Sequence, residues 1–293
     1  MASIERIHAG GDSVGESALW CERTGRIIWV DIVGQKINAL TPVSGQFESW
    51  DTPDLPTSIG LCANGEAVVG LRRAVTLWDW QGDFRPLAIP EPDLADNRLN
   101  EGKVGPDGAF WVGTMQDNIG PDGEPVTMNR SSGAIYRVWR DGRVDALTPR
   151  EFGICNTMAW TVDGGFRCAD TLADELYFYP MGRDGLGERR RLLAGGAPGL
   201  PDGSALDRDG GLWNCRVGGG CVMRITPEGH VDRVIELPCS QPTSCAFGGP
   251  GLTTLFVTSA RFGLPADERA SPNEGALYAL DIGVSGTPEF LFG

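Results

Sequence analysis

Histidine is nearly absent from this 293-residue sequence, which contains only His8 and His230. His230 follows Pro227-Glu228-Gly229, a combination that predicts an exposed turn, and His8 lies in a short strand-like run near the N-terminus. A zinc cage built from several histidines is therefore disfavoured, as is a Ser-His-Asp hydrolase. We expect neither histidine to be catalytic.

Long apolar runs are missing as well. No segment approaches the apolar length that spans a bilayer, and residues 1–8 lack the apolar core of a signal peptide. The eight cysteines include no Cys-x-x-Cys pair and occur in a chain large enough to fold without disulfides. We expect a cytoplasmic protein with reduced thiols and no membrane partner.

Positive charge is scarce too. Lysine and arginine together number 25 against 39 aspartates and glutamates, which gives a formal net charge of −14. The one tight basic run, Arg189–Arg191, is interpreted as solvated positions on an outer strand or loop. Because the chain offers no basic field to phosphate backbones, we expect no nucleic-acid partner.

The sequence is rich in turns between short β-type runs. It contains 42 glycines and 20 prolines, and runs such as Ile27–Val30 and Phe110–Val112 alternate with Asp-Gly or Pro-Asp-Gly turns. Turn glycines recur roughly every 40 to 56 residues, the length of a four-stranded propeller blade. The pattern predicts an all-β fold, a six-bladed β-propeller formed by residues 1–293 as a single domain.

Six segments align without gaps ahead of these turns, and each has a polar residue first and an apolar residue fifth. Their first residues, called the rim residues below, are Glu16, Thr57, Asn100, Asn156, Asp202 and Thr243. The first strand of each blade lines the central channel of a propeller. We therefore expect the rim residues to form a ring around one end of that channel.

Two connections on the rim face are long, from Met115 to Ser132 and from Ala260 to Gly275. Long structured loops often serve as binding elements or lids, although a tolerated insertion looks the same in sequence. The runs Ile4–Ile7 and Glu289–Phe292 lie outside the six units. Because pairing them in one blade would remove the free edge between the first and last units, we predict that closure.

Three rim residues have the chemistry of a cation site. Glu16, Asn156 and Asp202 supply two carboxylates and an amide oxygen, a hard-oxygen set whose charge of about −2 matches a divalent cation. The repeat alone is also compatible with polar residues that simply bind channel water, so both interpretations stay open at this point. Cys155 is interpreted as a small buried thiol rather than a nucleophile, because no rim histidine lowers its pKa.

Several motifs, in order along the chain, resemble one family. They are Gly15–Trp20 (GESALW), Asn97–Gly108 (NRLNEGKVGPDG), Phe110–Met115 (FWVGTM), Leu200–Gly203 (LPDG), Gly218–Gly220, Pro242–Pro250 and Val257–Arg261. Together they cover essentially the whole chain. They resemble the gluconolactonase, regucalcin (senescence marker protein, SMP-30) and luciferin-regenerating enzyme family, and they are specific for membership but not for substrate.

That resemblance implies a six-bladed propeller with one divalent metal in its channel. The implied metal ligands are Glu16, Asn156 and Asp202. The implied substrate contacts are Arg98, Asn100 and Asn118. Typical members hydrolyse sugar-acid lactones, with the aspartate ligand, here Asp202, as the proposed catalytic base. The resemblance therefore implies a lactonase of carbohydrate metabolism whose partner is a small-molecule sugar lactone.

The chain departs from the family pattern at two positions beside rim residues. The common Arg-x-Asn-Asp-Gly-Lys carries Glu101 in place of the Asp, and the usual Ser-Asn-Gly-Leu-Ala-Trp carries Thr157 in place of the Gly. We expect both to reshape the pocket without changing the metal ligands. Arg72 and Arg216, each just after a returning strand, are candidates either for contact with an anionic substituent or for structural roles.

Two other functions would use the same site. Metal-dependent propellers can also hydrolyse phosphotriester-type substrates, and a calcium-binding regulatory propeller would present the ring without turnover.

Oxygen ligands admit calcium, zinc, manganese, magnesium or iron(II), so the sequence does not select the metal. We expect a monomer or a weak homo-oligomer.

Overall fold

Six antiparallel β-sheets surround a central channel in the computed structural model, which describes residues 3–182 and 185–293. The first strands in chain order are β1 (Ser3–His8), β2 (Gly15–Cys21), β3 (Arg26–Asp31), β4 (Lys36–Thr41), β5 (Gln46–Asp51), β6 (Pro56–Leu61), β7 (Ala67–Leu71), β8 (Val75–Trp78), β9 (Phe84–Ala88), β10 (Asn97–Val104), β11 (Phe110–Gln116), β12 (Ile135–Val138) and β13 (Val144–Ala146). They are followed by β14 (Cys155–Trp160), β15 (Gly165–Asp170), β16 (Glu175–Gly182), β17 (Gly185–Leu186), β18 (Arg190–Ala194), β19 (Leu200–Leu206), β20 (Leu212–Val217), β21 (Cys221–Ile225), β22 (Val231–Glu236), β23 (Pro242–Gly248), β24 (Thr254–Ser259) and β25 (Leu277–Asp281). The arrangement confirms the predicted six-bladed β-propeller.

Each sheet is one blade built from consecutive strands. The blades are β2–β5, β6–β9, β10–β13, β14–β18, β19–β22, and β23–β25 together with β1. The innermost strands are β2, β6, β10, β14, β19 and β23, and they contain the six segments that the repeat aligned. The sequence repeat therefore corresponds to one strand position in every blade.

The N-terminal strand closes the ring, as predicted, but with a different partner. β1 pairs antiparallel with β25 and so completes the last blade. The predicted pairing with the run Glu289–Phe292 is wrong, because β1 already occupies the free edge of β25. This run lies instead at the channel end opposite the rim. There the Phe292 N–H donates to the Leu61 carbonyl at 2.8 Å, and its ring packs between the second and third blades.

Among the residues that the structure describes, helical structure is confined to two short turns. Helix α1 spans Ala266–Arg269 in the loop after β24, and a 3-10 helix spans Pro250–Leu252. Within the described ranges, no helix has the length and apolar character needed to cross a membrane. The core lies between the blades, where the largest fully buried side chains are Trp29, Trp78, Trp111 and Trp213.

Every innermost strand carries a β-bulge at or beside its rim residue, where it has one residue more than the paired strand. A bulge re-aims side chains and leaves backbone groups without a ladder partner. Side chains of the adjacent blade bond to such groups. Ser17 Oγ accepts from the Ile59 N–H at 3.0 Å, and Thr157 Oγ1 donates to the Asp202 carbonyl at 2.5 Å. These bonds link neighbouring blades around the channel.

The substitution Phe292→Ala tests the position of the C-terminal run. The Phe292 side chain is 0% exposed, and truncating a buried phenylalanine typically costs about 3–5 kcal/mol. We expect the free energy of unfolding, measured by chemical denaturation, to fall by that amount. Phe290 is 41% exposed, so Phe290→Ala is the matched control and should cost less than about 1 kcal/mol. Equal effects of the two substitutions would contradict the buried position of Phe292.

Candidate functional site

A cavity of about 160 Å³ lies at the rim end of the channel. All six residues predicted to bind the metal or the substrate line it, namely Glu16, Arg98, Asn100, Asn118, Asn156 and Asp202. The innermost strands supply five of them, and the long loop after β11 supplies Asn118. The structure therefore brings these residues together, while their roles stay predictions.

The predicted ring of six rim residues is incomplete. Thr243 lines the cavity, but Thr57 is not among the lining residues. The Thr57 hydroxyl donates to the Gly70 carbonyl of its own blade at 3.2 Å. Its polar atom is therefore used within the second blade, and Thr57 has a structural role.

Glu16 and Asp202 concentrate negative charge in the channel. Burial, followed by the charges of Asp202 and Glu101, raises the pKa of Glu16 well above its usual range. Burial, followed by the charge of Glu101, likewise raises the pKa of Asp202. Without a counter-charge, these carboxyl groups cannot all be ionised at neutral pH.

Amide side chains beside the carboxylates are held in fixed orientations. Asn156 Nδ2 donates to Thr171 Oγ1 at 2.8 Å, and Asn156 Oδ1 accepts from Asn100 Nδ2 at 3.0 Å. Arg98 donates from Nη1 to Asn100 Oδ1 at 2.8 Å and from Nη2 to Asn118 Oδ1 at 3.0 Å. Burial lowers the pKa of Arg98 to about 10, which leaves it cationic at neutral pH. Arg98 thus orients both other predicted substrate contacts.

These residues fit a divalent cation. Asp202 Oδ1 is buried and has no hydrogen-bond partner among the described residues. Glu16 adds a second carboxylate, and Asn156 Oδ1 keeps one lone pair beyond the one that Asn100 uses. Hard divalent cations prefer such oxygens. A cation would also offset the repulsion that raises the pKa of the two carboxyl groups.

Other nucleophiles are poorly placed. Burial raises the pKa of the Cys155 thiol well above its usual range, so the reactive thiolate is disfavoured. Ser13 belongs to a Gly-x-Ser-x-Gly stretch, residues 11–15, but that stretch leads into strand β2 and not into the helix of a hydrolase nucleophile elbow. His8 stacks on Phe47 with ring centroids 4.3 Å apart. Neither histidine is among the cavity-lining residues.

Both arginine candidates are engaged by the protein itself. Arg216 is buried and its Nη2 donates to Asp174 at 2.8 Å. Arg72 Nε pairs with Asp117 at 2.6 Å, and its Nη2 donates to the Ile119 carbonyl at 2.8 Å. These contacts support the structural interpretation of both residues. Arg72 in particular fixes the start of the long third-blade loop.

The two departures from the family pattern lie outside the cavity lining, so neither side chain forms part of its wall, and their effect on the shape of the pocket stays a prediction. Thr157 has a φ of +54°, in the left-handed region that favours glycine. Its hydroxyl bonds to the Asp202 carbonyl at 2.5 Å and lies 2.8 Å from Ser204 Oγ. Thr157 therefore ties β14 to β19 behind Asp202. Glu101 is also buried.

The sequence did not predict the apolar wall of the cavity. Ile119 and Phe262 come from the two long loops, which confirms that both loops reach the rim face. Ile32 and Thr171 also line the cavity, and each directly follows a returning strand. Arg72 has the same position after β7, so applying that criterion to every blade would have found these residues, whereas Arg216 lies within β20.

Comparison with known proteins supports the motif-based resemblance. Residues 14–261 match the family model described as SMP-30/Gluconolactonase/LRE-like region. The 6-deoxy-6-sulfogluconolactonase of Pseudomonas putida is 33% identical, over 95% of this chain and 94% of that protein. The L-arabinolactonase of Azospirillum brasilense is 31% identical, over 94% and 93%. A regucalcin structure from Agrobacterium tumefaciens, described as a calcium-binding protein, has a TM-score of 0.90 at 28% identity and covers 99% of this chain and 97% of that chain.

The chain therefore belongs to the SMP-30/gluconolactonase/LRE-like family. This confirms the resemblance found in the motifs. Two of these relatives are lactonases, which supports an enzyme of the gluconolactonase-like kind.

The substitution Thr157→Val removes the hydroxyl that links β14 to β19 and keeps the branched side-chain shape. Loss of a buried hydrogen bond typically costs about 1–3 kcal/mol, and we expect the free energy of unfolding to fall by that amount in chemical denaturation. Thr24 lies in an exposed turn, so Thr24→Val is the control and should stay within about 0.5 kcal/mol of the wild type. Unchanged stability of Thr157→Val would show that this hydroxyl does not link the blades.

Proposed function

We propose that this protein is a metal-dependent lactonase that opens the ring of a sugar-acid lactone to give the aldonic acid. The buried Asp202 Oδ1, unpartnered within the described ranges, is the observation that carries the proposal. It belongs to an oxygen set that suits a divalent cation. The lactonase relatives point to the same reaction class.

Glu16, Asn156 and Asp202 would hold the cation. When bound, a divalent cation supplies Lewis acidity that lowers the energy of the oxyanion developing on a lactone carbonyl. The protein's contribution is to keep its donors in place. Asn156, for example, is held from two sides by Thr171 and Asn100, and such outer contacts orient metal ligands.

Asp202 is the proposed general base. In lactone hydrolysis a water oxygen adds to the carbonyl carbon, water gives up a proton, and the ring C–O bond breaks as its oxygen is protonated. Because Asp202 Oδ1 meets no donor in the described part of the protein, it is free to accept that proton and return it to the leaving oxygen. One carboxylate can serve both cation and proton only if one of its oxygens stays free of the cation.

Asn118 is the amide best suited to contact the substrate. Its Oδ1 accepts from Arg98, which leaves the Nδ2 donors for sugar hydroxyls. Asn100 already donates to the Cys155 carbonyl and to Asn156 Oδ1, both at 3.0 Å, so it offers only an acceptor. We therefore assign Asn118 the direct hydrogen bond and Arg98 the orientation of both amides.

A calcium-binding regulatory protein is the second candidate function. It is supported by the Agrobacterium tumefaciens relative, which is described as a calcium-binding protein, and it would use the same oxygen set. No contact among the described residues favours phosphotriester hydrolysis over lactone hydrolysis. Turnover of a lactone distinguishes an enzyme from a regulator.

An activity screen on metal-stripped protein tests the proposed function. Sugar-acid lactones and phosphotriesters are offered separately after addition of calcium, magnesium, manganese, zinc or iron(II). Hydrolysis is measured by the release of protons. We expect hydrolysis of a lactone that a chelator abolishes and that at least one of these cations restores. Cation binding without hydrolysis of any lactone would favour the regulatory protein. Hydrolysis of phosphotriesters alone would contradict the lactonase.

The substitution Asp202→Asn tests the base. We expect kcat for the lactone to fall by about 10²- to 10⁴-fold, because an amide cannot accept the proton of water. Calorimetry establishes that the variant is assayed with its cation bound. Asp209 lies in the exposed turn of the same hairpin. The substitution Asp209→Asn is therefore the control and should retain the wild-type kcat. Full activity of cation-loaded Asp202→Asn would exclude Asp202 as the base.

A further inference from the structure

Strand β10 places two further charged residues in the channel below the cavity, Glu101 and Lys103. The positions equivalent to Glu101 in the other innermost strands hold Ser17, Ser58, Thr157, Gly203 and Ser244. The positions equivalent to Lys103 hold Leu19, Gly60, Ala159, Ala205 and Ala246. Glu101 is therefore the one acidic residue in its set of six. Four of the five residues equivalent to Lys103 are glycine or alanine, which leaves room for a long side chain.

Glu101 directly follows the rim residue Asn100 on β10, and its carboxylate lacks hydrogen-bond partners among the described residues. Glu101 is 2% exposed, and neither Oε1 nor Oε2 has a partner in residues 3–182 and 185–293. Its charge acts on both Glu16 and Asp202. A buried carboxylate without donors is strongly disfavoured unless positive charge lies nearby.

Lys103 supplies a positive charge toward the channel end opposite the rim. Its Nζ donates to the Ser204 carbonyl at 2.8 Å, so the side chain reaches from the third blade to the fifth. Although burial opposes it, the charges of Glu289 and Glu101 raise the pKa of Lys103. Lys103 therefore stays positively charged at neutral pH beneath the acidic site.

We propose that Glu101 and Lys103 set the divalent-cation affinity of the candidate site through opposite charges. Glu101 strengthens binding by adding a third negative charge, and Lys103 weakens binding by adding a positive one. The inference rests on the proposed function, because it requires a cation at that site. Both side chains lie outside the cavity lining, so they are positioning residues that act on the cation site and do not touch the substrate.

The expected effect is large enough to measure. Charges inside a protein interact more strongly than exposed charges and are screened less by salt. Residues just outside the ligands of a metal site typically change its affinity 10- to 100-fold. A purely structural role makes a different prediction, because damage to channel packing would weaken cation binding in variants of either residue.

Titration calorimetry of metal-stripped protein with calcium chloride and with manganese chloride at pH 8 tests the inference. Glu101→Gln is expected to raise the Kd about tenfold or more, and Lys103→Met to lower it by a similar factor. Glu101→Asp keeps the charge and is the matched control, with a Kd within about threefold of the wild type. The double variant Glu101→Gln, Lys103→Met should return close to the wild-type Kd.

The outcomes separate this inference from the proposed function. Wild-type protein that binds neither cation is titrated in the same way with magnesium, zinc and iron(II), and binding of none of the five would overturn both. Wild-type protein that binds, with both single variants weakened or with neither shifted, would overturn this inference alone. Circular dichroism reports whether each variant folds. If Lys103→Met does not fold, the comparison of Glu101→Gln with Glu101→Asp decides, because only the first removes the charge.

Discussion

Each innermost strand leaves regular β-pairing where it reaches the rim, and at several blade junctions hydroxyl groups of the adjacent blade bond to backbone groups near the bulge. The bonds from Ser17 to Ile59 and from Thr157 to Asp202 are of this kind. They fix neighbouring blades relative to each other, which brings polar residues from the first, fourth and fifth blades to one cavity. The geometry of the site is therefore a property of the whole ring and not of any single loop.

That geometry places several acidic groups in a buried channel. The charge of Glu101 acts on both Glu16 and Asp202, and that of Asp202 also acts on Glu16. Without a positive charge nearby, buried carboxyl groups in such an arrangement would be neutral. Lys103 is the one basic residue among the six aligned innermost segments, residues 16–20, 57–61, 100–104, 156–160, 202–206 and 243–247. Within these segments, the positive charge thus comes from one blade, the third, while the proposed cation ligands come from three others.

Repetition in the sequence was sufficient to predict the blade number, the innermost strands and most of the cavity-lining rim residues. Repetition does not encode the partner of a single polar atom. Thr57 and Thr243 occupy equivalent positions, yet one hydroxyl bonds within its own blade and the other residue lines the cavity. Strand-like composition likewise misassigned residues 289–292, because it cannot show that β1 already holds the edge of β25.

The C-terminal run affects how small molecules could enter and leave the cavity. At the far end of the channel, the Thr287 N–H donates to the Leu206 carbonyl of the fifth blade and the Phe292 N–H donates to the Leu61 carbonyl of the second. The C-terminal residues thus cross this end, and we take the mouth of the cavity to be on the rim face. Substrate and product would then pass through the same opening. Under the proposed function, a sugar lactone would enter uncharged, whereas the acid formed from it would leave as an anion from a protein with a formal net charge of −14. Repulsion would then hasten departure of the product without slowing arrival of the substrate.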